Sequence, residues 1–206
     1  QIVNNYLDAC QLDSGTRRAD NDNGILASGK NYTDMEHKWD EAFGYLYGQE
    51  ADATRADLGT SPTGNGTTLN KYFKKINDSN EPGLASTVFD AFKLGRAAIV
   101  AGNYDVRDAQ ANIIKINLSK VVGYKAIDYL ESYMSKKAAT PADAIHALSE
   151  GYGFILSLMF TNDGTGSPYF SEAEVNSMLS KLSNFWTVQD SDLTQMANDI
   201  RGRFNF

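Results

Sequence analysis

The stretch His37-Lys-Trp-Asp40-Glu41-Ala-Phe43-Gly44-Tyr45-Leu46 occurs a second time, in diverged form, as His146-Ala-Leu-Ser149-Glu150-Gly-Tyr152-Gly153-Phe154-Ile155. Both segments follow the pattern His-x3-Glu-x-aromatic-Gly-aromatic-aliphatic, and they contain the only two histidines of the chain. Each is preceded by a Tyr-Leu-acid signature, at Tyr6-Leu7-Asp8 and at Tyr129-Leu130-Glu131. Recurrence of two segments in the same order indicates an internally duplicated helix pair.

The sequence around the two copies is also helical in pattern. Apolar residues recur every three or four positions, and strand-like alternation is nowhere sustained. Helices are predicted over about 2–12, 34–48, 69–76, 84–101, 106–137, 141–160, 172–182 and 191–203, with long loops over 13–32 and 49–68. Thr33 with Glu36, and Ser171 with Glu174, predict capping boxes at two helix starts. We therefore predict an all-α helical bundle that forms a single domain over 1–206.

Composition narrows the range of functions. The chain of 206 residues carries a formal net charge of −7, which argues against nucleic acid and anionic membrane surfaces as partners. Its single cysteine, Cys10, excludes an internal disulfide and a cysteine-rich zinc site. No apolar run reaches the roughly 18 residues of a membrane span. No phosphate-binding loop or Gly-x-Ser-x-Gly elbow occurs, so we expect a protein that is not an enzyme.

The histidine, the glutamate and the glycine of the repeat pattern share one helix stripe in each copy. Residues at i, i+4 and i+7 align, which groups His37 with Glu41 and Gly44, and groups His146 in the same way with Glu150 and Gly153. A glycine inside a helix costs about 1 kcal/mol relative to alanine, so Gly44 and its counterpart predict the close approach of a neighbouring helix. The stripe is therefore expected to lie at a buried or half-buried helix contact.

Three roles for this polar stripe are consistent with the residues. In the first role, the histidines and glutamates satisfy each other's hydrogen-bonding groups and fix the register of packed helices. In the second, the stripes bind a small molecule. Alternatively the two copies face each other, and His37, Glu41, His146 and Glu150 converge on a divalent metal, for which imidazole and carboxylate ligands suit zinc or iron. The spacing matches neither the Glu-x-x-His motif of di-iron bundles nor the paired histidines of zinc proteases.

Arg96 lies in an otherwise apolar helical segment, Phe92-Lys-Leu-Gly95-Arg96-Ala-Ala-Ile99. A buried arginine requires an anionic partner, and Asp40, Glu41 and Glu150 are the candidates. The alternative is an edge position from which the guanidinium reaches water.

The segment from Asp163 to Glu174 resembles a degenerate calcium loop between two helices. Oxygen-bearing side chains occupy ligand positions at Asp163, Thr165, Ser167 and Glu174, although Pro168 stands where such loops require glycine. The alternative is a plain loop that ends in the capping box of Ser171.

The run Lys30-Asn-Tyr-Thr-Asp-Met-Glu-His37-Lys-Trp-Asp-Glu41-Ala-Phe-Gly-Tyr45 resembles the hallmark of a bacterial lipoprotein family, domain of unknown function 4856. The segments Phe92 to Ile99 and His146 to Ile155 are similar to two further signatures of that family. The resemblance covers essentially the whole chain. It implies a lipoprotein of the bacterial envelope, periplasmic or anchored in the outer membrane by a lipid. This chain would then be the C-terminal part of a longer precursor, without the lipid anchor.

A more distant similarity is to imelysin-like proteins, periplasmic helical proteins linked to iron acquisition. Their Gly-x-His-x-x-Glu motif differs here, because Asp40 and Ser149 stand three residues after the histidines and the glutamates follow one residue later. We expect a non-enzymatic envelope binding protein, with a role in iron or other metal uptake and with a small ligand or an envelope protein as partner. The alternatives are a structural or protein-interaction domain and an imelysin-like hydrolase. Candidate ions are iron, zinc and calcium.

Overall fold

The computed structural model describes residues 1–48 and 69–206, and the regular elements within these ranges are all helices. In chain order they are a π-helical turn at Ile2–Leu7, α1 (Asp8–Gln11), α2 (Arg17–Asp22), α3 (Asp34–Tyr47), α4 (Leu69–Ser79), α5 (Leu84–Val100), α6 (Tyr104–Lys136), α7 (Pro141–Ser157), a 3-10 turn at Leu158–Phe160, α8 (Glu172–Lys181) and α9 (Asp190–Phe204). The all-α prediction is confirmed. The loop predicted over 49–68 lies outside the described residues.

Both predicted capping boxes are formed. The hydroxyl of Thr33 accepts a hydrogen bond from the backbone N–H of Glu36 at 3.3 Å, and the Glu36 carboxylate accepts one from the N–H of Thr33 at 2.7 Å. Ser171 and Glu174 repeat the arrangement at 3.3 and 2.8 Å. These local bonds satisfy backbone donors that have no partner within the helix, and they set where α3 and α8 begin.

Helix α2 lies inside the segment that was predicted as a loop over 13–32, so that prediction was wrong in part. None of its residues is buried, and its sequence has no apolar stripe that could reveal a helix. Polar contacts with distant residues hold it in place. The Asn21 amide donates to the carbonyl of Ile99 at 2.9 Å, and the Tyr104 hydroxyl donates to the Asp22 carboxylate.

The chain divides into two compact units, residues 1–117 and 118–206, and the boundary falls within α6. In the first unit, α3 and α5 approach closely at Trp39 and Gly95. The indole of Trp39 is fully buried, and its N–H donates to the carbonyl of Phe92 at 2.9 Å. A Cβ at Gly95 would overlap the edge of this indole, so glycine is required there. The prediction of a single domain over 1–206 stays a prediction.

A buried cation also stabilises the first unit. Arg107 on α6 is fully buried, and its guanidinium donates to Asp13 at 3.0 Å and to Asp108 at 2.8 Å. The guanidinium carbon lies 4.6 Å from the centre of the Tyr104 ring. A buried charge is tolerated when it is paired in this way, and the same pairing makes its removal costly.

The second unit packs the C-terminal part of α6 against α7, α8 and α9. Its core includes Leu130, Leu148, Val175, Leu193 and Ile200, each with 0% exposure. The close approach between α6 and α7 occurs at Gly151, where an added Cβ would lie 3.1 Å from the Cβ of Tyr129.

The duplicated helix pair is visible in the packing of each unit. The tyrosine of the Tyr-Leu-acid signature contacts an aromatic residue of the partner helix in both copies. Tyr6 lies with its ring centre 5.1 Å from that of Tyr45, and Tyr129 lies 5.6 Å from Phe154. Equivalent positions of α3 and α7 are also buried in both copies: Met35 and Ala144, Trp39 and Leu148, Ala42 and Gly151, and Leu46 and Ile155.

Candidate functional site

The first histidine pair lies on the outer face of α3. His37 Nε2 is 3.6 Å from Glu41 Oε1, while the other oxygen of Glu41 accepts a hydrogen bond from Lys38 at 2.7 Å. The ring of Tyr32 stacks on the His37 imidazole with ring centres 4.9 Å apart. The side chain of His37 is 41% exposed and that of Glu41 is 29% exposed. The pair is therefore accessible to solvent.

Two tyrosines extend this surface. The Tyr6 and Tyr45 rings are in contact, with their centres 5.1 Å apart, and the Lys38 ammonium lies 5.5 Å from the centre of the Tyr6 ring. The hydrogen bond with Tyr45, followed by burial and the negative charge of Glu41, raises the pKa of Tyr6 to about 12. Its phenol is therefore neutral at physiological pH. We call this group the His37 surface; it comprises Tyr6, Tyr32, His37, Lys38, Glu41 and Tyr45.

The second histidine pair has the same geometry in the second unit. His146 Nε2 is 3.1 Å from Glu150 Oε1, and the His146 side chain is 74% exposed. The rings of Tyr129 and Phe154 are in contact and occupy the repeat positions of Tyr6 and Tyr45. A lysine again covers the tyrosine, because the Lys125 ammonium lies 4.6 Å from the centre of the Tyr129 ring. Each unit thus presents a His–Glu pair and an aromatic pair, whereas the lysine is half-buried in the first unit and buried in the second.

The expectation that the polar stripes lie at close helix contacts was wrong. Gly44 and Gly153 are exposed, and a Cβ at either position would meet nothing within 4 Å. The reason is helical geometry: α3 buries Met35 and Trp39, and two positions along a helix turn the side chain by about 200°. His37 therefore points away from the core.

Arg96 does have an anionic partner. Its guanidinium donates to Asp40 at 2.9 Å, as one candidate predicted, and to Glu36 at 2.8 Å, which sequence reasoning missed. Glu41 instead binds Lys38. Glu36 and Asp40 lie one turn apart on α3, so their spacing was the signal for the missed partner. The side chain of Arg96 is 29% exposed, and this group links α5 to α3 rather than forming a separate site.

The carboxylates of the predicted calcium loop are engaged by the protein itself. Asp163 accepts hydrogen bonds from the N–H and hydroxyl of Thr165 at 2.8 and 2.7 Å and from the N–H of Ser167 at 3.4 Å. Glu174 accepts from Ser171 and, at 2.7 Å, from Arg203, and these contacts lower its pKa to about 2. The geometry is that of a closed loop followed by a capping box. Calcium binding at this loop stays a prediction.

Across residues 1–48 and 69–206, no group of three or more His, Cys, Asp or Glu side chains is placed to hold a metal ion. The two His–Glu pairs lie in different units, and their convergence on one ion stays a prediction.

Burial raises the pKa of the Cys10 thiol to about 12, so this thiol is protonated at neutral pH. Within the same ranges, no helix has the length and apolar character needed to cross a membrane.

Sequence reasoning also missed an aromatic groove in the second unit. Trp186 is 74% exposed in the loop between α8 and α9, close to Phe185 and to Tyr152 of α7. The available signal was the run Ser183-Asn-Phe-Trp186-Thr, an aromatic pair in a polar connection between two helices.

The fold and the surface geometry define an all-α protein whose duplicated helix pair carries an exposed His–Glu pair in each unit. The model of the family described as Domain of unknown function (DUF4856) matches residues 1–206. The chain therefore belongs to this family. Neither a curated protein nor a solved structure matches it.

Proposed function

We propose that this chain is a non-enzymatic ligand-binding protein of the bacterial cell envelope, and that its two exposed His–Glu pairs contact the ligand. The envelope location is supported by the resemblance of the Lys30 to Tyr45 segment to envelope lipoproteins. Catalysis through a cysteine nucleophile is disfavoured by the burial of Cys10, whose protonated thiol is a poor nucleophile.

The proposal is carried by a comparison of the two copies of the repeat. The solvent-accessible histidine and its glutamate are the same in both copies, whereas several buried residues differ. Between the two copies, the buried positions change from Met35 to Ala144 and from Trp39 to Leu148. The histidine and glutamate are identical in both copies, although His37 and His146 are solvent-accessible. Core packing explains why buried positions remain apolar, but it places no such demand on exposed ones. A ligand that both pairs bind would require the same exposed residues in both copies.

The stabilising effect of these pairs is small by comparison. An exposed ion pair one helical turn apart contributes about 0.2–0.5 kcal/mol, and many surface pairs contribute nothing measurable. Glu41 also has Lys38 as a second cationic partner, so the loss of the His37 imidazole leaves it paired. These magnitudes favour a binding role over the alternative in which the stripes only fix helix packing.

Iron and zinc are the first ligands to test. Each pair presents an imidazole nitrogen and a carboxylate oxygen one turn apart, and both metals accept this donor set. Two protein donors leave the other coordination positions for water or for a chelating molecule that carries the ion. The metal is then cargo, which agrees with the expected role in metal uptake.

The test is calorimetric titration of tag-free protein with Zn²⁺ and, under anaerobic conditions, with Fe²⁺. We expect saturable binding that is reduced in His37→Ala and in His146→Ala and is lost in the double variant. Asp78→Ala is the matched control, because it removes an exposed i,i+4 ion pair with Lys74 outside the proposed sites. Unchanged binding by the double variant would refute the assignment to these histidines, and absence of binding by the wild type would refute metal as the ligand.

A further inference from the structure

The loop between α8 and α9 forms one wall of an aromatic groove with a volume of about 450 Å³. The groove is shallow and largely open to solvent, so it can contact one face of a ligand. We call it the Trp186 groove; its lining residues are Tyr152, Leu182, Ser183, Asn184, Phe185 and Trp186. The Trp186 side chain is 74% exposed, whereas Trp39, the other tryptophan, is fully buried.

Hydrogen bonds hold the loop in a fixed shape. The Tyr133 hydroxyl donates to the carbonyl of Phe185 at 2.8 Å, and the Asn184 side chain accepts from the N–H of Trp186 at 2.9 Å. The N–H of Thr187 donates to the carbonyl of Asn184 at 3.2 Å, which closes the turn. The backbone that carries the exposed indole is therefore fixed by hydrogen bonds, so a ligand that stacks on Trp186 does not have to order this turn.

The second copy of the repeat supplies a tyrosine to this groove. Tyr152 occupies the position of Phe43 in the first copy, where the Phe43 ring packs among aromatic residues, 4.8 Å from Tyr47 and 5.6 Å from Phe92. In the second unit the equivalent side chain is 37% exposed and lies 6.2 Å from the Phe185 ring. The groove therefore gains a hydroxyl at a position that is apolar in the other copy.

The lining chemistry selects the class of ligand. None of the six lining residues carries a formal charge, although the chain as a whole has a net charge of −7. The groove combines exposed aromatic faces with the hydroxyls of Tyr152 and Ser183 and the amide of Asn184. A pyranose ring matches this combination, because its C–H face stacks on an aromatic ring while its hydroxyls bond to neutral donors and acceptors.

We propose that the Trp186 groove binds a neutral sugar residue of a glycan, which stacks on the Trp186 indole. A lipid surface is the competing partner, since tryptophan is also common at membrane interfaces. The amide and hydroxyl lining, together with the negative charge of the chain, favours the sugar over an anionic lipid surface.

The test is a fluorescence titration with cellohexaose, xylohexaose, mannohexaose and chitohexaose, each to about 10 mM, which covers the weak affinities of shallow sites. We expect at least one glycan to shift the tryptophan emission saturably, with the same Kd by calorimetry, and we expect this shift to be absent from Trp186→Phe, which leaves Trp39 as the only tryptophan. Trp186→Ala should weaken that Kd at least about tenfold, while Trp186→Phe retains most of the affinity because it keeps an aromatic face. Leu156→Ala is the matched control, as it removes an exposed apolar side chain of α7 outside the groove.

Three results would overturn the proposal. One is the absence of any response to all four glycans by a protein whose circular dichroism shows it to be folded. Another is glycan binding by Trp186→Ala with wild-type affinity, which would place the sugar elsewhere. The third is a Trp186 emission shift on phosphatidylglycerol vesicles with none on glycans, which would assign the groove to a membrane.

Discussion

Replacing Gly95 with alanine tests the contact between α3 and α5. A Cβ at this position would overlap Cζ2 and Cη2 of Trp39 and would lie 3.0 Å from Cε2. The indole is fully buried and cannot move aside without losing the hydrogen bond from its N–H to the carbonyl of Phe92. Gly44→Ala is the matched control, because Gly44 also lies within a helix but has open space around it.

The expected energies have opposite signs. Glycine to alanine inside a helix gains up to about 1 kcal/mol, and at Gly44 nothing opposes this gain. At Gly95, overpacking costs about 1–3 kcal/mol, and loss of the buried hydrogen bond of Trp39 costs a further 1–3 kcal/mol or so. We therefore expect Gly95→Ala to lower the free energy of unfolding by roughly 1–5 kcal/mol, and Gly44→Ala to raise it slightly.

Urea unfolding monitored by tryptophan fluorescence measures both effects. The chain has two tryptophans, so a Trp186→Phe background leaves Trp39 as the reporter of the first unit. The native emission of Gly95→Ala should also move to longer wavelength as the indole is displaced toward water. If Gly95→Ala proved as stable as its parent with unchanged emission, the α3–α5 packing described above would be incorrect.

Three further outcomes follow from charged and phenolic groups. Arg107→Ala should lower the free energy of unfolding by about 2–5 kcal/mol in urea titrations, because it empties the space of a fully buried side chain; a loss under about 1 kcal/mol would contradict the burial of this side chain. The pKa of Glu174 is lowered to about 2, so its contribution is complete above its unfolded pKa and is lost as the pH falls through that folded value. In Glu174→Gln, the free energy of unfolding should therefore fall less between neutral and acid pH, by up to about 1 kcal/mol after solvent screening. An unchanged dependence on pH would show that the Glu174 carboxylate does not contribute to it. Tyr45→Phe should bring the pKa of Tyr6 down from about 12 toward 10 in an NMR titration of labelled tyrosine, whereas an unchanged pKa would rule out their hydrogen bond as its main cause.

Local sequence was sufficient for the features that depend on neighbouring residues. The capping boxes at Thr33 and Ser171 and the His–Glu contacts of both copies need only residues three or four positions apart, and all are formed. Helix α2 was missed because its stability depends on distant polar partners such as Ile99 and Tyr104, which leave no periodic signal.

The candidate site was only partly predictable. Spacing paired His37 with Glu41, but it did not show that the pair faces solvent, because glycine was taken as a sign of close packing. The prediction of close packing was made for Gly44 and Gly153 and failed at both, whereas the structure has close contacts at Gly95 and Gly151. The tyrosines of the His37 surface come from separate segments, and only the folded chain brings them to one helix.

The role of the repeated histidines is tested most directly by measuring stability and metal binding on one preparation of the His37→Ala/His146→Ala variant. The exposure of both side chains predicts a free energy of unfolding within about 1 kcal/mol of wild type, together with loss of Zn²⁺ or Fe²⁺ binding. A loss of several kcal/mol with unchanged metal binding would contradict the account and assign the histidines to helix packing.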